Sequence, residues 1–166
     1  MYDPEQFVLS KDVPRSVSEL ELAASVSDLI SLPHANGDAS SVLRTGVFRK
    51  PHSVVLVDVE DLPSSLMQRV LAGVENVLRF SVTSDSLPES AIASSATIST
   101  GVPPAIHGIV GENWVNSAGQ SVSAFSDAPN SHAVVPTLAE RLADAHPCGK
   151  SVVYAATASS AAVFAS

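Results

Sequence analysis

The chain has 166 residues, 45% of them hydrophobic and only 16% charged, which suits one globular domain with a real core and excludes an intrinsically disordered protein. Its net charge of −8 repels a phosphate backbone, so no nucleic-acid partner is expected. A local phosphate site built from backbone N–H groups and metals stays compatible with that charge. Cys148 is the only cysteine, so an intrachain disulfide is impossible. The start, MYDPEQFVLSKDVPRS, lacks a basic region followed by an apolar core, and no run of about 18 apolar residues occurs. Neither a signal peptide nor a membrane span is expected in the chain, and no compartment is assigned.

Residues 1–50 read as an N-terminal extension. Within it Val17, Leu20, Leu22, Ala23, Val26, Leu29 and Ile30 fall partly at helical spacing and predict one short helix over 16–30. Asn36-Gly37-Asp38 is a turn signal. A second unit, 51–166, follows. Ser53 to Val59 is a short β-branched run that predicts a buried parallel strand. Leu66, Met67, Val70, Leu71, Val74, Val77 and Leu78 form the apolar stripe of an amphipathic helix. Leu78 to Val82 then reads as a second strand.

Ser90 to Thr100 is small and Ser/Thr-rich and ends at Gly101, suited to a helix C-terminal cap. Val102-Pro103-Pro104 cannot continue that helix. Pro136 suits the first turn of another helix, Thr137 to Ala145, with Leu138 and Leu142 facing inward. Ser151 to Ala156 reads as a third core strand, and the Ser/Ala-rich end as the start of a further element. This alternation predicts an α/β fold, a parallel sheet with flanking helices and right-handed crossovers.

The ordered set Thr100-Gly101, Pro104, His107-Gly108-Ile109 and Asn113 resembles a signature loop of the alkaline phosphatase superfamily, in its type I phosphodiesterase/nucleotide pyrophosphatase branch. Ser53 to Leu62 is similar to that family's first strand, Ser86-Leu87-Pro88 to the segment leading into its nucleophile, and Val135 to Leu138 to its next helix start. The resemblance runs from about His52 to the C-terminus and implies an alkaline-phosphatase-like fold, of which this chain is the N-terminal, nucleophile-side portion. It also implies an ancestral chemistry, the hydrolysis of phosphate esters and diesters by two zinc-like divalent metals. Such metals offset the substrate's charge and stabilise the attacking and leaving oxygens.

In the register of the resemblance, the nucleophilic Thr or Ser stands three residues after Pro88 and ten before Gly101. Both counts land on Ala91. A methyl group cannot attack phosphorus or bind a metal. Ser90 is the fallback nucleophile if the backbone shifts by one residue, with Ser94, Ser95 and Thr97 close by. The alternative reading of these hydroxyls is helix capping and tight packing.

The metal-binding Asp of the family falls at Glu60, and the Gly after it at Asp61. The extra methylene of Glu60 moves its carboxylate by roughly an ångström, more than a metal site readily tolerates. Asp58 is the alternative ligand, and all three acids can equally be strand-end residues. His107 is expected to shape its loop. His34, His52, His132 and His146 fit no ligand spacing. No cofactor is therefore expected, and two divalent metals only if the family site is retained.

Three functions remain in view. The first is a non-catalytic phosphodiesterase-like scaffold or interaction module, which needs a protein partner or the remaining half of the fold. The second is the N-terminal part of an active metal-dependent phosphodiesterase. The third is phosphate-ligand binding without turnover.

Overall fold

A computed structural model describes residues 16–35, 39–42, 51–59, 62–74, 81–84, 90–125 and 134–165. The chain is a mixed α/β structure in which a parallel strand pair is flanked by helices. Strand β1, Ser16–Ser18, runs directly into helix α1, Glu19–Leu29. The switch is written locally as Ser18-Glu19-Leu20-Glu21. Ser18 accepts a hydrogen bond from the Glu21 N–H at 3.2 Å, and the Glu21 carboxylate accepts from the Ser18 N–H at 2.9 Å. This reciprocal capping satisfies two N–H groups at the helix start. β1 pairs in parallel with β2, Ser81–Thr83, in the register Val17 opposite Val82. Val17 is buried, while Val82 is half exposed.

Helix α3, Ala91–Thr100, is the centre of the molecule. Ile92, Ala93, Ser95, Ala96, Thr97, Ser99 and Thr100 are all buried, so the helix is covered on several sides. Its small side chains admit close neighbours. α1 packs along it with Ala23 and Ala24, and α6, Ala158–Phe164, packs with Ala162 and Val163. Ile92 and Ala96 meet Ile109, Ala124, Phe125 and Val163 in a core flanked by Trp114 and Phe164. The buried hydroxyls are satisfied internally: Thr97 donates to the Ala93 carbonyl, Thr100 to that of Ala96, and Ser99 to that of Val163, all at 2.7–2.9 Å. Hydrogen bonding is the condition on which polar groups are buried without a large penalty.

After α3 the chain turns through α4, Pro104–His107, and forms a hairpin of β3, Asn113–Val115, with β4, Ser121–Ser123. Helix α5, Leu138–Ala145, begins at a second reciprocal cap between Thr137 and Glu140. Pro136 therefore precedes the N-cap instead of occupying the first turn. Leu138 is buried and Leu142 half-buried.

Several expectations need correction. Residues 53–59 form no ladder, and Val55 and Val57 are 84% and 74% exposed. The parallel position beside β2 is taken by β1, and this run pairs with no strand among the described residues. The predicted helix over 66–78 forms as α2, Ser64–Val70, tightening to a 3-10 turn at Leu71–Gly73. Its apolar residues Leu66, Met67 and Val70 are exposed, Val74 is extended, and Val77 and Leu78 lie outside the described residues. Residues 151–156 are also unpaired among the described residues, with Tyr154 94% exposed. The segment over 16–30 is part strand before it is helix. The turn at 36–38 and the strand start at 78–80 lie outside the described residues, as do residues 85–89.

Candidate functional site

The start of α3 is set by Ser90. Its extended backbone leaves the helix path, and its hydroxyl accepts from the Ala93 N–H at 3.4 Å. Ala91 is the first helical residue, so its side chain is a methyl at the helix N-terminus. Both residues line an open cleft of about 480 Å³ together with Glu19, Leu22, Ser84 and Ser94. The cleft lies where β2 ends and α3 begins. Its walls carry three hydroxyls and one carboxylate.

That carboxylate belongs to Glu19, only 3% exposed at the start of α1, and it accepts a hydrogen bond from the Ser94 hydroxyl. One residue on, the Ser95 hydroxyl donates to Asp58 at 2.6 Å. Two acids from separate parts of the chain thus engage adjacent hydroxyls of α3. Asp58 reaches α3 from the exposed extended run, and Glu60 and Asp61 lie outside the described residues.

The other end of α3 closes on Gly101, whose φ of +77° lies in the left-handed region. Its amide donates to the Thr97 carbonyl at 2.8 Å. The structure gathers Thr100, Gly101, Pro104, His107 and Gly108 into one compact turn, with Gly108 ending α4 at φ +82°. Asn113 stands apart, exposed in the hairpin. His107 is fully buried. The Ile109 N–H donates to its Nδ1 at 3.1 Å, which fixes the ring proton on Nε2, facing the Thr97 hydroxyl at 3.1 Å. Burial pushes the His107 pKa down to about 4, so the ring is neutral at pH 7.

Arg141 of α5 reaches the same end of α3. It donates to the Thr100 carbonyl and to the Ser27 hydroxyl at 3.5 Å each, and to the Pro33 carbonyl. Burial lowers its pKa, because these neutral acceptors only partly replace water around the charge.

The donors described do not fit a bimetal centre. Among the described residues no group of three or more His, Cys, Asp or Glu side chains converges, and Asp58 is engaged by Ser95. His34 bonds to Asp28 and to the Ala39 carbonyl. Cys148 is exposed. Among the described residues no helix is long and apolar enough to cross a membrane.

Sequence reasoning missed the placement of Glu19 in the cleft and the reach of Arg141. The Ser18–Glu21 capping signal was present, and would have set Glu19 at the junction of a strand and a helix. Nothing local marks Arg141.

The small-residue helix opening beside a parallel strand pair and closing on a glycine, with the His-Gly turn behind it, is the arrangement expected of a phosphodiesterase-like α/β protein. The type I phosphodiesterase / nucleotide pyrophosphatase family matches residues 65–164, well over half of the chain, and the chain belongs to that family. No curated protein matches the chain, and no solved structure does.

Proposed function

We propose that this chain is a non-catalytic member of its family, a scaffold or interaction module that works as part of a larger assembly. The observation that carries this reading is Ala91 as the first residue of α3. In the family register the nucleophile falls there, and a helix N-terminus is where a hydroxyl would meet a phosphate with free N–H groups nearby. A methyl group supplies neither attack nor metal coordination.

The neighbouring hydroxyls are poor substitutes. Ser90 is committed as the helix cap and Ser94 to Glu19. The assembly role is supported by apolar exposure. Val55, Leu56, Val57 and Val59 are exposed in one extended run, with Leu66, Met67 and Val70 of α2 and Val152 and Tyr154 elsewhere. Surfaces of this kind call for a protein partner or the remaining half of the fold. The reading requires no cofactor.

The test is hydrolysis of bis(p-nitrophenyl) phosphate by the unmodified protein with zinc or magnesium supplied. No turnover above the metal-only rate is expected. Hydrolysis at an enzyme-like rate that a chelator abolishes would overturn the reading. In that event the chain is the N-terminal part of an active phosphodiesterase.

A further inference from the structure

Helix α1 ends in a turn that folds the chain back toward its own last residues. The Leu32 N–H donates to the Ser27 carbonyl at 2.8 Å, and the Ser31 N–H to the Asp28 carbonyl at 3.2 Å. Ser31 takes the left-handed backbone, φ +64°, that this pair of bonds requires. His34 is thereby brought to Asp28. Its Nε2 lies 2.9 Å from the Asp28 carboxylate and its Nδ1 3.1 Å from the Ala39 carbonyl. The two side chains are only 27% and 22% exposed. Three residues past Ala39, the Val42 N–H donates to the Ser25 hydroxyl of α1 at 3.0 Å. The stretch 39–42 is thus tied at two points, to Ser25 on the helix and to His34 just past its end.

Both partners of the ring are acceptors. A backbone carbonyl has no proton to give, and an ionised carboxylate has none either. A neutral imidazole donates from one nitrogen and presents a lone pair at the other, so it keeps only one of these bonds. The doubly protonated ring makes both. Its charge also suits the place, because it faces a carboxylate and stands past the negative end of a helix whose last turn has no basic residue. Of the charged groups among the described residues, Asp28 of α1 bonds the ring and favours the imidazolium. Arg141 of α5 opposes it, reaching the neighbouring Pro33 carbonyl and Ser27 hydroxyl.

We propose that His34 is a pH-operated latch: with both ring nitrogens protonated it ties residues 39–42 to the end of α1, and on losing one proton it releases Ala39. The remaining proton stays on Nε2, because a bond to a carboxylate is stronger than one to a neutral carbonyl. Histidine is the side chain whose charge ordinarily changes between about pH 5 and 8. The latch therefore closes on mild acidification and opens as pH rises. In sequence, the stretch it controls precedes the exposed run 51–59.

The experiment is hydrogen exchange of the Val42 amide in the purified chain at about pH 5 and about pH 8. Each rate is divided by the intrinsic rate at that pH, and nitrogen-15 spectra of the His34 ring are recorded on the same samples. In the unmodified protein, Val42 protection is expected to fall about three- to tenfold at the higher pH, the loss of one hydrogen bond. Nδ1 is expected to lose its proton while Nε2 keeps it. Asp28→Asn is the decisive variant. Its side-chain N–H can donate to Nε2 while Nδ1–H donates to Ala39, so a neutral ring holds the latch shut. Protection is then expected to be equal at the two pH values, with the neutral ring protonated on Nδ1. His34→Ala is expected to show the lower protection at both. Protection that does not change with pH in the unmodified protein overturns the proposal. So does a fall of the same size in Asp28→Asn or in His34→Ala, which places the titrating group elsewhere. His107 does not imitate the effect, because its neutral burial makes the folded chain more stable at the higher pH.

Discussion

The imidazole of His107 donates its Nε2 proton to the hydroxyl of Thr97 at 3.1 Å, and that hydroxyl passes its own to the Ala93 carbonyl one turn back in α3. The chain of bonds is complete only when the ring is neutral, because Nδ1 must accept from the Ile109 N–H. Protonation at Nδ1 breaks that bond and leaves a charge without solvent.

The consequence is a defined dependence on pH. His107 has a folded-state pKa of about 4, against 6.5 for the unfolded ring. Between those values the unfolded chain binds more protons, so stability rises with pH. The contribution is complete above about pH 6.5 and is lost progressively as pH falls toward 4, by up to about 3 kcal/mol. Urea unfolding at pH 7 and pH 4.5, compared with the same pair for His107→Gln, measures it. The variant is expected to show a flatter difference between the two pH values.

Arg141 joins three segments by bonds to Thr100, Ser27 and Pro33. Its charge also complements the C-terminal end of α3. Arg141→Met, which keeps much of the stem, is expected to lose about 2 kcal/mol in urea unfolding. Arg141→Lys should recover only part of that loss, because one ammonium cannot span acceptors that a forked guanidinium reaches together.

Gly101 carries a positive φ, and a Cβ added there would lie 3.3 Å from the Ala35 Cβ. Both the backbone and the neighbour oppose a side chain. Gly101→Ala is expected to cost about 1–2 kcal/mol, read as a lower thermal midpoint. Gly73 is the control, since nothing stands within 4 Å of its added Cβ. Gly73→Ala is expected to leave the midpoint nearly unchanged.

Ser90→Ala separates capping from catalysis. Removing the cap that accepts from Ala93 is expected to cost about 1 kcal/mol of stability. Any background hydrolysis of bis(p-nitrophenyl) phosphate should be unaffected. A loss of turnover larger than the loss of folded protein would make Ser90 a nucleophile.

Much of the α3 region was legible in the sequence because its signals are local. The run of small residues ending at Gly101, the Pro-Pro that follows, and the Thr137–Glu140 helix start each specify a turn of backbone by themselves. The strands were less legible. Ser53 to Val59 and Ser151 to Ala156 have the composition of buried strands, yet composition does not supply the neighbour that buries them. Val17 pairs beside Val82 from a segment whose pattern reads as helix, because three residues are too few to show a period. The hairpin of β3 and β4 was missed for a similar reason: its strands are three residues each, and its turn is marked only by Asn116, whose side chain accepts from the Ala118 and Gln120 N–H groups, and by Gly119 at φ +77°. For the site, Ala91 could be counted out from Pro88 and Gly101, but the Glu19 contact is a meeting of distant segments that no local pattern encodes.

The pairing of β1 with β2 also governs when the protein can take shape. The Thr83 hydroxyl meets the Val17 carbonyl across 66 residues, and Ser94 meets Glu19 across 75. Contacts this remote require a long loop to close before they return any stabilisation, which slows folding. On the ribosome, the segment that completes the cleft is made before α3 and waits until that helix has emerged to receive it.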